Sequence, residues 1–81
     1  MSNSNESLLK TILKKVFLVD ESSISDKLSR EDIEEWDSMG HLMLISEVES
    51  TFGVFIPDEN LAKIKTIGDL KKALRNLGVT I

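Results

Sequence analysis

The sequence predicts an all-α fold: a small four-helix bundle of three longer helices and one short helix, with a long loop between helices I and II. Three observations predict it. Apolar residues recur at spacings of three and four in three separate segments. Cap-forming residues stand where those segments begin and end. No segment shows a convincing strand pattern, and there is no internal repeat or low-complexity stretch. A chain of 81 residues is expected to form one domain over 1–81 with one small core.

Helix I is expected from about Ser4 to Leu18, because Leu8, Leu9, Ile12, Leu13, Val16 and Phe17 form one apolar stripe. Asn3 with Glu6 three residues later offers a cap-like start, and Asp20-Glu21-Ser22-Ser23 ends it. From Asp20 to Asp37 the apolar residues Ile24, Leu28, Ile33 and Trp36 are too widely spaced for a helical stripe. This stretch reads as a long anchored loop, with a short helical turn after Ser29 as the alternative, since Asp32 follows at capping distance.

Helix II is expected over Ser38 to Phe52. On a wheel of 100° per residue, Leu44, Val48, Phe52, Ile45 and Leu42 occupy one core-facing arc. Met39 and Met43 fall opposite, with Ser46, Glu47 and Ser50, as a pair of exposed methionines suited to an adaptable contact surface. Met43 is expected to be the more exposed; the alternative is that one of the two folds back against the loop. Gly53 is placed for a C-cap, and Val54-Phe55-Ile56-Pro57 forms an extended connector that proline prevents from continuing as helix. Asp58 to Ile64 then has room for a short helix with Leu61 and Ile64 inward. Thr66 and Asp69 mark the start of helix IV, whose stripe of Ile67, Leu70, Ala73 or Leu74, and Leu77 ends at Gly78 before the tail Val79-Thr80-Ile81. Any apolar slot between helices II and III would be lined by residues such as Leu44, Val48 and Ile64, and nothing in the sequence measures it.

Composition narrows the functional classes. Hydrophobic residues at 41% and charged residues at 30% suit a compact soluble domain. With no cysteine, the chain has no disulfide, thiolate metal site or thiol nucleophile of its own, and no resident metal is expected. No apolar run approaches the roughly 20 residues of a membrane span, and Met1 to Lys15 lacks the pattern of a secretory signal, so a cytoplasmic location is expected. The net charge of −4 is unevenly spread. Met1 to Val19 carries +2, Asp20 to Asn60 carries −10, and Leu61 to Ile81 carries +4. That acidic middle repels nucleic acid and favours basic protein partners, although a plain solvated face gives the same composition.

The segment Glu35-Trp36-Asp37-Ser38-Met39-Gly40-His41-Leu42 puts an Asp-Ser pair where helix II begins. Either side chain can cap a first-turn amide. A serine hydroxyl at a helix start also lies where free amides and the positive end of the macrodipole stabilise an attached phosphate. Asp37, Ser38 and His41 on one turn invite a hydrolase reading, but proximity alone supplies neither a pocket nor an oxyanion hole, so no catalytic residue is assigned. His41 reads as a surface residue able to charge near neutral pH and adjust partner binding, and Trp36 as a lid packed over the bundle that fixes the loop.

The residues Asp37-Ser38-Met39, Leu42, Leu44-Ile45, Val48-Glu49, Phe52-Gly53, Ile56-Pro57-Asp58-Glu59, Ile64 and Thr66-Ile67-Gly68-Asp69-Leu70 resemble the acyl carrier protein family, including peptidyl and D-alanyl carrier relatives. The resemblance implies that Ser38 carries 4'-phosphopantetheine, covalently attached through a phosphodiester and donated by coenzyme A. It implies a stand-alone, monomeric, non-catalytic carrier that holds acyl or aminoacyl groups as thioesters. Its partners would be a pantetheinyl transferase, an acyl or aminoacyl ligase and downstream acyl-processing enzymes of lipid, fatty acid or secondary metabolism. Asp37 would support loading by helping to bind the transferase's magnesium. Met39, Met43, Glu47, Glu49, Asp58 and Glu59 would form the partner-binding surface. The rival reading is a small acidic helical adaptor with no prosthetic group, whose Asp-Ser pair is only a cap.

Trp36, Gly40, His41 and Met43 depart from carriers of primary fatty-acid synthesis, which commonly have a small residue before the Asp-Ser pair and acidic first turns; they point to a specialised carrier. Gly40 costs ~1 kcal/mol relative to alanine inside a helix. Its position away from the expected core arc leaves two readings: a close approach of the arm or a partner to the backbone, or a tolerated surface glycine.

Overall fold

A computed structural model describes residues 4–81 and contains four α-helices: α1 (Ser4–Phe17), α2 (Ser38–Phe52), α3 (Asp58–Leu61) and α4 (Ile67–Asn76). The expected Asn3 cap lies outside the described residues. The three longer helices and the short α3 match the all-α bundle expected from periodicity. Helix α1 lays Leu9, Ile12, Leu13 and Phe17 into the core, and a left-handed Leu18 (φ 57°) ends it. Glycine takes that conformation most readily; Leu18 takes it where its side chain is exposed.

The long loop is anchored, as its scattered apolar residues suggested, but its local elements differ from those expected. Its helical piece is a 3-10 turn at Glu21–Ser23. After Ser29 the chain makes only a turn. The Asp32 carboxylate accepts from the Ser29 amide (3.0 Å) and hydroxyl (3.1 Å), so Asp32 caps backwards without starting a helix. The middle of the loop lies along the entry to α4, where the Arg30 amide donates to the Lys65 carbonyl (3.0 Å), Ile67 to Leu28 (3.0 Å) and Gly68 to Asp26 (2.9 Å). Ser29 and Thr66 form an isolated antiparallel bridge, with no strand among the described residues.

Helix α4 starts with a complete capping box: Thr66 Oγ1 accepts from the Asp69 amide (3.0 Å) and the Asp69 carboxylate accepts from the Thr66 amide (3.2 Å). One turn further, the buried Lys71 ammonium bonds Glu6 of α1 and Asp26 of the loop, each at 2.8 Å. Three separate parts of the chain therefore meet at one cation. Burial works to lower the Lys71 pKa, but its hydrogen bonds to Asp26 and Glu6 more than offset this and raise it. Lys71 in turn lowers the pKa of Glu6.

Several expected faces need correction. Leu42 is 62% exposed, at the edge of the expected core arc, and Leu77 also lies at the surface. His41 is buried, so it is not the freely titrating surface group expected. Gly40 is also buried, on the core side of α2. Leu44 and Val48 are wholly buried and Ile64 is 2% exposed, all three packed in the common core.

Candidate functional site

The site is the junction between the loop and α2, and it is built from Trp36 outward. Trp36 is buried and stacks on Phe17 of α1, with ring centroids 5.1 Å apart and planes at 27°. That contact fixes the chain immediately before Asp37. The indole Nε1–H donates to Nδ1 of His41 (2.9 Å), and the other ring nitrogen of His41, Nε2, donates to the Leu61 carbonyl (3.0 Å). A carbonyl can only accept, so Nε2 carries the proton and Nδ1 the lone pair. Burial lowers the His41 pKa; the Leu61 hydrogen bond opposes this, and Arg30 lowers it further.

Asp37 is the N-cap: its extended backbone directs Oδ1 onto the Gly40 amide (2.8 Å), and its carbonyl accepts from the His41 amide (2.8 Å). Ser38 is therefore the first residue inside α2, with its side chain exposed. A helix start leaves the Ser38 and Met39 amides without an intrahelical carbonyl. The first turn of α2 has no acidic side chain, and the helix runs for 15 residues, so its positive end faces the Ser38 hydroxyl. This environment fits a phosphoester on Ser38 Oγ. It does not supply a hydrolase triad, because both nitrogens of His41 are committed to Trp36 and Leu61.

Gly40 does mark a close approach, but the neighbour is the chain itself. A Cβ at Gly40 would collide with the carbonyl oxygen of Glu35. The missing side chain lets the loop lie against the first turn of α2.

Met39 and Met43 are exposed as expected, though Met39, at 72%, is more exposed than Met43, at 53%. Neither folds back on the loop. With Leu42, Ser46 and Glu47 they line an open hollow of about 280 Å³ beside Ser38. Glu47 pairs with Lys15 of α1 (3.1 Å). The Glu49 carboxylate accepts from the Ile56 amide (2.8 Å), holding the connector after α2. Asp58 and Glu59 are exposed on α3.

Sequence reasoning missed the buried role of His41, although the signal was present. Residues 41, 44, 45 and 48 follow the i, i+3, i+4, i+7 pattern of a core face. A polar residue in that pattern needs buried partners, and Trp36 and Leu61 supply them.

The profile of the family described as "Phosphopantetheine attachment site" matches residues 7–74. Over 64 residues the chain is 36% identical to a protein of Thermotoga maritima named acyl carrier protein, and that alignment covers 79% of each chain.

Proposed function

This chain belongs to the acyl carrier protein family, with 4'-phosphopantetheine as its prosthetic group, and from that premise we propose that Ser38 is the attachment residue and that the chain presents acyl or aminoacyl groups to biosynthetic enzymes without itself catalysing a reaction. When bound, the arm supplies a terminal thiol that holds cargo as a thioester, a function for which this cysteine-free chain has no side chain of its own.

The observation that carries this reading is the exposed Ser38 hydroxyl at the first residue of α2, on a start fixed by the Asp37 cap and the buried Trp36. Ser38 Oγ receives the phosphodiester, and the first-turn amides and helix dipole stabilise its negative charge. Asp37 orders that turn through Oδ1; its second carboxylate oxygen is left to assist the magnesium-dependent transferase. Met39 and Met43 offer apolar contact beside Ser38, while Glu47, Glu49, Asp58 and Glu59 bias the surface towards basic partners such as the transferase, a ligase and downstream acyl-processing enzymes.

Incubation with coenzyme A, magnesium and a pantetheinyl transferase able to load the Thermotoga maritima relative tests the assignment. Intact mass should rise by one phosphopantetheine in the wild type and not in Ser38→Ala. A wild-type chain left unmodified under those conditions contradicts it. The adaptor reading predicts instead that Ser38→Ala loses a little stability and keeps full partner binding.

A further inference from the structure

We propose that His41 is a positioning residue for Ser38: as the Nε2–H tautomer it links the Trp36 indole to the Leu61 carbonyl, and a proton on Nδ1 breaks that link and releases the segment ahead of α2. The positioning role rests on the assignment of Ser38 above; the acid-sensitive link does not.

The geometry admits only one neutral arrangement. Trp36 Nε1 can only donate, and the Leu61 carbonyl can only accept, so each ring nitrogen of His41 has a fixed role. A second proton would sit on Nδ1 and face the indole N–H across a 2.9 Å contact. Two donors then oppose each other inside a buried site, and one must move. The imidazole is enclosed by the core and by α3, where Nε2 remains held by Leu61. Trp36 stands on the irregular loop, so the indole is the group that yields, giving up its stack on Phe17 as it leaves.

The residues that would move with it are those that set up Ser38. Trp36 directly precedes the Asp37 cap, and the Glu35 carbonyl lies against Gly40. The link also reaches beyond α2, because Leu61 closes α3 and its carbonyl accepts from this ring (3.0 Å) as well as from the Ile64 amide (3.2 Å). His41 thus ties the loop, the start of α2 and the end of α3 together, three residues from the proposed attachment point.

The charges around the ring favour the neutral form. Arg30, on the loop, is the cation that bears on it, and burial acts in the same direction. On its own helix the Asp37 carboxylate is bound to the Gly40 amide, and α1 meets the relay through the Phe17 ring. On α3, Asp58 and Glu59 are exposed, and none of these groups is placed as a counter-ion for a charged imidazole. The link is therefore intact at neutral pH and opens on acidification below the ordinary histidine value of 6.5.

Trp36 is the one tryptophan in the chain, so its fluorescence reads the link directly. The full-length protein is titrated from pH 8 towards acid while indole emission and far-ultraviolet circular dichroism are followed together; nitrogen-15 NMR of His41 reports the tautomer. The expected result is the Nε2–H tautomer at pH 8, then a red shift of the emission before helix is lost, with the midpoint at the NMR pKa of His41. His41→Asn retains an acceptor for the indole and should keep the blue-shifted emission without that step. His41→Gln, which reaches Leu61 but not Trp36, should be red-shifted at every pH. On the same variants, loading of Ser38 by the transferase at pH 8 should slow by on the order of tenfold in His41→Gln, with partial rescue in His41→Asn. An Nδ1–H tautomer, an emission change coincident with global unfolding, or the same acid step in His41→Asn overturns the link. Wild-type loading at an ordinary rate that neither variant alters overturns the positioning role alone, and wild type that is never loaded overturns the Ser38 assignment while leaving the link testable by its own signals. The wild-type tautomer and titration decide the link even where a variant does not fold.

Discussion

At Gly40 two residue-scale effects oppose each other. Alanine would gain ~1 kcal/mol in helix propensity. Its Cβ, however, would meet the Glu35 carbonyl, a backbone atom on a segment held by buried Trp36. Relief requires moving residues 35–37, at ~1–3 kcal/mol for an overpacked site and a further ~1 kcal/mol for the Asp37 cap. Gly40→Ala should therefore lower the melting temperature, by an amount equivalent to about 2 kcal/mol; a rise would show that the loop yields freely. His41 makes a second test at this scale. Its folded-state pKa lies below the unfolded value near 6.5, so its contribution to stability is fully present above that pH and is lost as pH falls from there through the lowered folded value. Melting temperatures taken across that window should fall more for wild type than for His41→Asn. The glycine was legible as a close approach but not as to what approaches, because its partner is a carbonyl on a loop whose path no periodicity encodes. His41 was misread for a different reason: its chemistry suggested a surface role, while its spacing placed it in the core.

Among the elements, the helices were the most legible parts because each carries its own boundary signals. The Thr66–Asp69 capping box, the Gly53 C-cap in the left-handed region (φ 65°) and the Pro57 stop all lie where the sequence placed them. Thr66→Ala should destabilise the fold by ~1 kcal/mol, measured by denaturant unfolding, because it removes an acceptor that the Asp69 amide uses. The loop was legible only in outline. Its path depends on backbone bonds to α4 and on Lys71, whose partners Glu6 and Asp26 lie far apart in sequence. Nothing in the α4 stripe singled out Lys71 as a buried cation. Glu6 has a lowered pKa, so its share of stability is present above about pH 4.5 and disappears as pH falls through the lowered value; the Lys71 share is present below about 10.5 and fades as pH rises through its raised value. Lys71→Met should flatten both limbs of the curve of melting temperature against pH, and an unchanged curve would show that the cluster contributes nothing.

Across the whole molecule, core and proposed contact surface are separated on α2. Leu44, Ile45 and Val48 face inward, while Met39, Leu42 and Met43 face solvent. Met43→Glu should therefore weaken binding to the loading enzyme or ligase and change the melting temperature little, since a half-exposed side chain contributes little to the core; a large loss of stability would place Met43 in the fold. With basic partners, the −10 charge of residues 20–60 should give those encounters a salt dependence, association slowing as ionic strength rises. The bundle and the Asp37–Ser38 junction were legible because periodicity and cap chemistry act locally. The exposed Leu42 and the Trp36–His41–Leu61 link were not, because they depend on how elements meet. The most direct measurement is peptide-level mass spectrometry of the protein after incubation with coenzyme A and a competent pantetheinyl transferase. A single phosphopantetheine on the peptide containing Ser38, fragmenting to that residue, is the predicted result; modification of any other serine, or none at all, contradicts the account.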